Sequence, residues 1–169
     1  GIATLGNQDI KTDNISELLR QTYNVRNIDL AVEVSSEIEV ILISGLEDSI
    51  SIEEVNNLDA FIKRGGNIFI GQNRIKTDLQ TQSAEEIQSN IFGFLERYGL
   101  GIRSNLVLDS QSGQISVLQN RGIFRMQSAV DYPFFPLVRN FASDQVVVNS
   151  LEQVRTLFPS EIWEYQDTL

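Results

Sequence analysis

Short apolar runs alternate with amphipathic stretches through the first two thirds of this chain, and this alternation restricts the fold more than any other feature of the sequence. The apolar runs have the length of strands, and the amphipathic stretches repeat apolar residues at the spacing of one helical face. The runs cover residues 2–5, 25–30, 40–43, 68–70 and 106–108, and the helical stretches begin at Asn14, Ser51 and Ser83. The resulting order, βαββαβαβ, is typical of a mainly parallel sheet with helices on both faces.

Each helical stretch opens with a residue pair suited to a capping box. In this motif the side chain of the first residue accepts the backbone N–H of the residue three positions later, and the side chain of that later residue accepts the backbone N–H of the first. Gly65-Gly66 and Gly99 follow the second and third stretches, where helices commonly end with a positive φ. These signals predict three complete helices. The pairs are Asn14 with Glu17, Ser51 with Glu54, and Ser83 with Glu86.

We therefore predict an α/β domain with a flavodoxin-like open sheet, whose strands lie in the order 2-1-3-4-5, because right-handed crossovers leave few other arrangements. Residues 1–109 form its three-layer core, and residues 110–169 form a β-rich extension packed on the same domain. Within the extension, Pro133 and Pro136 exclude a helix and argue against a central strand. Its predicted strands cover residues 114–119, 123–127 and 146–148, with a turn at 120–122.

The composition removes several classes of function. The chain contains neither Cys nor His, which excludes disulfides, thiol nucleophiles, zinc sites of the usual ligands and Ser-His-Asp triads. A formal net charge of -10 and 13 scattered basic residues argue against a nucleic-acid partner. No run reaches the roughly 18 apolar residues of a membrane span. Both ends look truncated, so we expect any membrane contact to use segments beyond this chain.

Polar loops follow the predicted strands, and in an open α/β sheet the ligand crevice lies at these carboxyl ends. We predict a ligand-binding site there that uses no metal and no cofactor. The same residue types are good turn formers, so a set of solvated turns is the alternative. The candidate binding residues are Asn7, Gln8, Asp9, Glu47, Asp48, Gln72, Asn73 and Arg74.

Two other functions use the same crevice. Asp9, Asp48 and Asp109 carry oxygen ligands of the kind that hard cations such as Mg²⁺ prefer, so the chain is alternatively a cation-dependent enzyme or sensor. A carbohydrate- or peptide-binding module without a metal is the other possibility. A flavin is disfavoured, because Asp9 in the first loop would repel its phosphate.

An aromatic segment beside the prolines is the candidate partner surface. Tyr132, Phe134 and Phe135 lie next to Pro133 and Pro136, and exposed aromatic residues suit protein–protein contacts. The alternative is that the two phenylalanines close the edge of the core.

The ordered set of motifs resembles the auxiliary component of ABC transporters of the gliding-motility type. That family is similar in fold to a domain of intraflagellar transport proteins and to class I glutamine amidotransferases. The residues that carry the resemblance are Gly6-Asn7-Gln8-Asp9, Tyr23-Asn24-Val25, Val40-Ile41-Leu42-Ile43-Ser44-Gly45, Leu58-Asp59-Ala60-Phe61-Ile62-Lys63-Arg64-Gly65-Gly66-Asn67-Ile68, Phe94-Leu95-Glu96-Arg97-Tyr98-Gly99-Leu100, Val107-Leu108-Asp109 and Tyr132-Pro133-Phe134-Phe135-Pro136.

The resemblance implies a periplasmic, extracytoplasmic domain of a protein anchored in the inner membrane, with an ABC permease and its ATPase as partners and a sister auxiliary subunit as a further candidate partner. The chain carries no G-x-x-x-x-G-K-[ST] motif, so it is not the ATPase itself. Amidotransferase chemistry needs a Cys after the fourth strand, where this chain has Gly71-Gln72-Asn73. Family members usually carry a His in the first loop, where this chain has Asn7-Gln8. We therefore expect a non-catalytic scaffold or binding domain rather than an enzyme.

Overall fold

The computed structural model describes residues 2–4, 13–121 and 124–165 of the chain. In chain order, the elements of this described part are β1 (Ile2–Thr4), α1 (Asp13–Arg20), β2 (Asn27–Asp29), β3 (Val40–Ser44), α2 (Ile52–Lys63), β4 (Asn67–Gly71), β5 (Ile75–Asp78), β6 (Ser83–Glu86), α3 (Ile91–Glu96), β7 (Leu100–Ile102), β8 (Ser112–Arg121), β9 (Phe124–Val138), β10 (Val154–Arg155) and β11 (Ile162–Glu164).

A four-stranded parallel sheet forms the first part of the fold. Its order is β2-β1-β3-β4, which is the order predicted for the first four strands. Strand β3 pairs with β4 over its whole length, from Val40 opposite Asn67 to Ser44 opposite Gly71. Ile41 and Ile43 are completely buried on one face of β3, while Val40 on the other face is 49% exposed.

The prediction of a fifth strand at residues 106–108 is wrong. This segment has no strand assignment, and the N–H of Val107 donates to the carbonyl of Pro159. The chain instead forms β7 just after α3 and pairs it antiparallel with β11. Gly101 permits this pairing because it has no side chain. A β-carbon on residue 101 would lie 2.3 Å from the indole nitrogen of Trp163. Strand β4 is therefore the last strand of its sheet in the part that the structure describes.

The third predicted capping box is also wrong, because residues 83–86 form strand β6 instead of a helix start. Its antiparallel ladder with β5 places Lys76 opposite Glu85, an opposite-charge pair of the kind that stabilises neighbouring strands. The N–H of Ile87 donates to the carbonyl of Arg74 at 2.9 Å, which keeps the chain extended there. Helix α3 consequently begins at Ile91 and ends at Glu96.

The second predicted helix is confirmed together with its capping box. The N–H of Glu54 donates to the hydroxyl of Ser51 at 3.1 Å, and the N–H of Ser51 donates to the Glu54 carboxylate at 2.7 Å. Helix α2 ends where Gly65 adopts a φ of 94°, a conformation that favours glycine. It contributes Leu58 and Phe61 to the buried core, beside the isoleucines of β3. Helix α1 is also confirmed, but it starts at Asp13, one residue before the predicted start at Asn14.

The extension after residue 110 is built of strands, in a different arrangement from the predicted one. Strands β8 and β9 form a long antiparallel hairpin, whose connection at residues 122–123 lies outside the described part. Strand β9 is central in the sheet β10-β9-β8, although it contains both prolines. The ladder tolerates Pro133 because the pairing jumps from Gln114–Asp131 to Ser112–Pro136, so that residues 132–135 bulge opposite Gly113.

The predicted late strand at residues 146–148 is wrong as well. This segment forms turns, and the side chains of Val146 and Val147 are 84% and 88% exposed. Three consecutive valines favour a strand only where a neighbouring strand or a core can cover them. The described part of the chain offers these valines no such cover.

The substitution Gly66→Ala tests the packing of α2 against residue 66, and Gly93→Ala in α3 is its control. A β-carbon on Gly66 would lie 2.4 Å from the ring of Phe61, which is 1% exposed, so we expect Gly66→Ala to lower the free energy of unfolding by about 1–3 kcal/mol. A β-carbon on Gly93 in α3 would meet no atom within 4 Å, so Gly93→Ala should raise it by up to about 1 kcal/mol. Urea denaturation measures both. Equal changes in the two variants would contradict the close contact of Phe61 with residue 66.

Candidate functional site

A polar crevice of about 330 Å³ lies at the carboxyl ends of β3 and β4, with residues of β5 along one side. We call it the strand-end crevice. Three of the predicted binding residues line it, namely Glu47, Gln72 and Asn73. Asp48 and Arg74 are outside its lining. The remaining candidates, Asn7, Gln8 and Asp9, lie outside the described residues.

Gln72 holds the wall of the crevice together. Its side-chain oxygen accepts the N–H of Leu46 at 2.8 Å, and its amide nitrogen donates to the Leu46 carbonyl at 2.8 Å. The N–H of Gly45 donates to the carbonyl of Gly71 at 2.9 Å, and this bond holds the loop after β3 against the end of β4. Leu46 is completely buried. The amide of Gln72 is therefore used by the fold and is not open to a ligand.

Arg74, predicted as a binding residue, contacts a carboxylate and an aromatic ring of the fold. Its guanidinium donates twice to the Glu86 carboxylate, at 3.0 and 2.9 Å, and lies 4.0 Å from the centre of the Phe92 ring. The hydrogen bond from Arg74 lowers the pKa of Glu86 below its ordinary value. These contacts link residue 74 to β6 and α3, and the role of Arg74 in ligand binding stays a prediction.

Lys76 supplies the positive charge of the crevice, and the sequence analysis did not select it as a binding residue. Its ammonium group is 2.5 Å from the carboxylate of Glu47. This hydrogen bond, strengthened by the charges of Glu47, Glu85 and Asp48, raises the pKa of Lys76. The sequence after Arg74 alternates as a strand does, and residues two apart in a strand lie on the same side. This pattern could have indicated that Lys76 lies on the same side of the chain as the predicted binding residue Arg74.

Two of the three residues proposed for a hard cation, Asp48 and Asp109, lie in the described part of the chain, and Asp9 lies outside it. The backbone carbonyl of Asp48 accepts the hydroxyl of Ser89 at 2.8 Å, and the side chain of Asp109 accepts the N–H of Gln111 at 2.8 Å in its own turn. Over residues 2–4, 13–121 and 124–165, no three acidic residues come together in a way that could hold a metal ion.

The predicted partner surface is an aromatic cluster with a fourth member from another part of the chain. Tyr132, Phe134 and Phe135 pack with Phe158, with ring centroids 5.0–6.1 Å apart, and all four rings are half-buried. Phe158 has a φ of 50°, and its N–H donates to the Phe134 carbonyl at 2.9 Å. The sequence analysis offered two interpretations of this segment: a partner surface, or aromatic residues that close the edge of the core. The cluster shares features of both, because its rings pack against one another and still present aromatic surface. Phe158 lies between Leu157 and Pro159, and no pattern in the sequence linked this segment to residues 132–135.

A second cavity, of about 560 Å³, borders this cluster. We call it the aromatic groove. One wall comes from the β5–β6 hairpin and the other from β8, Tyr132, Phe134 and Phe158. Its lining is mainly apolar, in contrast to that of the strand-end crevice. The helices in the described ranges are all too short or too polar to cross a bilayer.

Comparison with known proteins gives a family and a fold. Residues 3–167 match the model of a family described as an ABC-type uncharacterized transport system. A solved structure described as the mmIFT52 N-terminal domain is similar, with a TM-score of 0.60 and 14% sequence identity. The similarity covers 95% of this chain and 66% of that one, and at this identity it shows a shared fold alone. No curated protein matches the chain significantly.

A pair of substitutions tests the structural role of Gln72. We expect Gln72→Ala to lower the free energy of unfolding by about 1–3 kcal/mol, because it leaves the backbone N–H and C=O of buried Leu46 without partners. Asn73→Ala is the matched control, since the hydrogen bond that the described part of the chain offers the Asn73 side chain is a long one, 3.5 Å to the carbonyl of Leu157. It should change stability by less than about 0.5 kcal/mol. Urea denaturation distinguishes the two, and a larger loss in Asn73→Ala would contradict this assignment.

The ion pair between Arg74 and Glu86 predicts a pH dependence. Because the pKa of Glu86 is lowered in the folded chain, the pair stabilises the fold above the unfolded pKa, and this contribution is lost as the pH falls through the folded pKa. Arg74→Gln should therefore be less stable than the parent at pH 7, and the difference should shrink between about pH 5 and pH 3. A residual difference should persist from the lost Phe92 contact. Thermal melts across this range measure it, and a constant difference would contradict the role of Glu86.

Proposed function

The chain belongs to the family described as an ABC-type uncharacterized transport system, and from this premise we propose that it is a non-catalytic scaffold or binding domain of an auxiliary transporter subunit. The observation that carries the proposal is the family match over residues 3–167. Membership makes the protein an auxiliary component of an ABC transport system. The scaffold role, the location and the partners are our proposal.

The chemistry of the crevice supports a role without catalysis. The whole chain lacks Cys and His, so the usual thiol nucleophile and imidazole base are missing. Two of the polar groups that line the crevice are bound by the protein itself: Gln72 by Leu46, and Lys76 by Glu47. Groups held in this way stabilise a loop and are poorly placed to transfer protons or attack a substrate.

The aromatic cluster supports partner binding. Aromatic residues are enriched in the cores of protein interfaces, and the cluster places four of them at one surface. We propose that this surface contacts the permease, and through it the ATPase, or a sister auxiliary subunit. The resemblance to gliding-motility transporters supports a periplasmic domain whose membrane anchor lies in another segment.

We also propose how the described strands belong to the larger fold. The sheet order β2-β1-β3-β4 with parallel pairing supports a flavodoxin-like core of the amidotransferase-like type, with helices on both faces. We propose the division into a core at residues 1–109 and an extension at residues 110–169, and the long antiparallel pairing of β8 with β9, two strands that both lie after residue 110, supports it.

A small polar ligand in the strand-end crevice is the second candidate function. One observation favours it: the amide of Asn73 lines the crevice and, among the described residues, makes only a long contact, with the carbonyl of Leu157. A carbohydrate or a short peptide has the hydroxyl or amide groups to bind it.

Affinity capture of the full-length tagged protein from crosslinked membranes tests the main proposal. Mass spectrometry should recover the permease and the ATPase, and Tyr132→Ala should reduce this recovery about tenfold because it truncates an aromatic anchor. Tyr23→Ala is the matched control, because Tyr23 is 66% exposed and lies outside the cluster. Melting curves establish that both variants fold.

Two outcomes contradict the proposal. If neither transporter subunit is recovered with the parent protein, the scaffold role is wrong. If Tyr132→Ala and Tyr23→Ala recover equal amounts, the contact lies on another surface.

A further inference from the structure

We propose that the aromatic groove binds an extended polypeptide segment in which apolar and basic residues alternate. This inference rests on the proposed function, since it specifies the chemistry of the partner at the same aromatic surface. It follows from three properties of the groove: its apolar walls, one ionised carboxylate, and the strand edges that border it.

The walls of the groove suit apolar side chains. Leu79 contributes from the β5–β6 hairpin, Ile115 from β8, and Tyr132, Phe134 and Phe158 from the aromatic cluster. The cavity of about 560 Å³ lies within the range of ligand-binding pockets, roughly 300–1,000 Å³. Leu79 is 52% exposed, so the groove presents apolar surface that water currently covers. A partner that fills the groove with aliphatic side chains would remove this surface from water.

One carboxylate makes the groove selective for positive charge. Asp78 lines the groove, and its Oδ1 accepts the N–H groups of Gln80 and Thr81 at 2.7 and 3.3 Å. The hydrogen bond from the Thr81 side chain and these backbone bonds lower the pKa of Asp78, so it is ionised at neutral pH. Among the residues that line the groove in the described part of the chain, none is Lys or Arg. The net charge of -10 attracts a basic partner from a distance.

The strands beside the groove suit an extended chain. Strand β8 is the edge of the sheet β10-β9-β8, and β5 and β6 form a sheet of two strands, so both walls have a strand edge in the described structure. A segment in the extended conformation can add hydrogen bonds to such an edge. Its side chains alternate, so leucine-like residues enter the groove while basic residues reach the rim and Asp78. A saccharide could stack on the aromatic rings and donate a hydroxyl to Asp78, but as a neutral ligand it would not be attracted by the net charge of -10.

Fluorescence anisotropy with labelled octapeptides tests the inference on the chain of residues 1–169. The probe LKLKLKLK should bind, and LELELELE and SKSKSKSK should bind at least about tenfold more weakly, since each lacks one of the two features. The first control removes the positive charge, and the second removes the apolar side chains.

Matched variants locate the binding. Asp78→Asn should weaken LKLKLKLK about fivefold or more, whereas Asp144→Asn, which changes the net charge equally at an exposed turn, should weaken it less than about twofold. Leu79→Ser should weaken it similarly, and Leu151→Ser, which alters a leucine that is 44% exposed elsewhere, should not. All four positions are exposed, so the variants should fold, and melting curves verify this.

Four outcomes overturn the inference: no binding of LKLKLKLK, equal binding of LELELELE, equal binding of SKSKSKSK, or equal effects of Asp78→Asn and Asp144→Asn. The capture experiment is independent of these results. Transporter subunits recovered through Tyr132 while the peptide fails to bind would contradict only the groove chemistry, and the reverse pattern would contradict only the proposed function.

Discussion

The pairing of strand β3 with neighbours on both sides is the constraint on which the rest of the structure depends. Its backbone pairs with β1 and β4, and its side chains Ile41 and Ile43 are completely buried. Burial of each isoleucine contributes about 1.5–3 kcal/mol, and the paired backbone groups have no access to water as an alternative. Because β3 is fixed, the loops after β3 and β4 lie side by side. Gln72 then joins them through two hydrogen bonds with Leu46, and the strand-end crevice exists as a consequence.

The elements that the sequence predicted correctly are those whose signals are local or depend on burial. Ser51 and Glu54 satisfy each other across three residues, and residues 40–43 are too apolar for any position outside the core. The same pattern at Ser83 and Glu86 predicted a helix wrongly, because the ladder with β5 satisfies those backbone groups instead. Residues 106–108 failed for a similar reason, since β7 lies just after α3 and has Trp163 to cover Gly101. Pairing with another strand decided both cases: a neighbouring strand of the same hairpin in the first, and a strand some sixty residues later in the second.

The candidate site was predictable in position but not in the use of its side chains. The rule of strand ends depends on topology, and it placed Glu47, Gln72 and Asn73 at the crevice, while their role in binding stays a prediction. The contacts of the individual side chains depend on partners elsewhere in the chain. Arg74 contacts Glu86 and Phe92, and Phe158 packs with aromatic residues more than twenty positions earlier. Family membership adds the transport context that geometry alone does not supply. The two cavities differ in chemistry, since one is a polar crevice and the other an apolar groove.

The contact of Trp163 with Gly101 gives the molecule a built-in optical probe. Trp163 is the single tryptophan of the chain, its ring lies over β7, and the Arg103 guanidinium is 5.1 Å from the ring centre. Tyr165 packs against the same ring with centroids 5.3 Å apart. The emission of this indole therefore reports whether strand β11 is seated on β7, some sixty residues earlier in the chain. Detachment of the last strand would shift the emission to longer wavelength while the parallel sheet stays intact, so spectroscopy can separate loosening of this end from global unfolding.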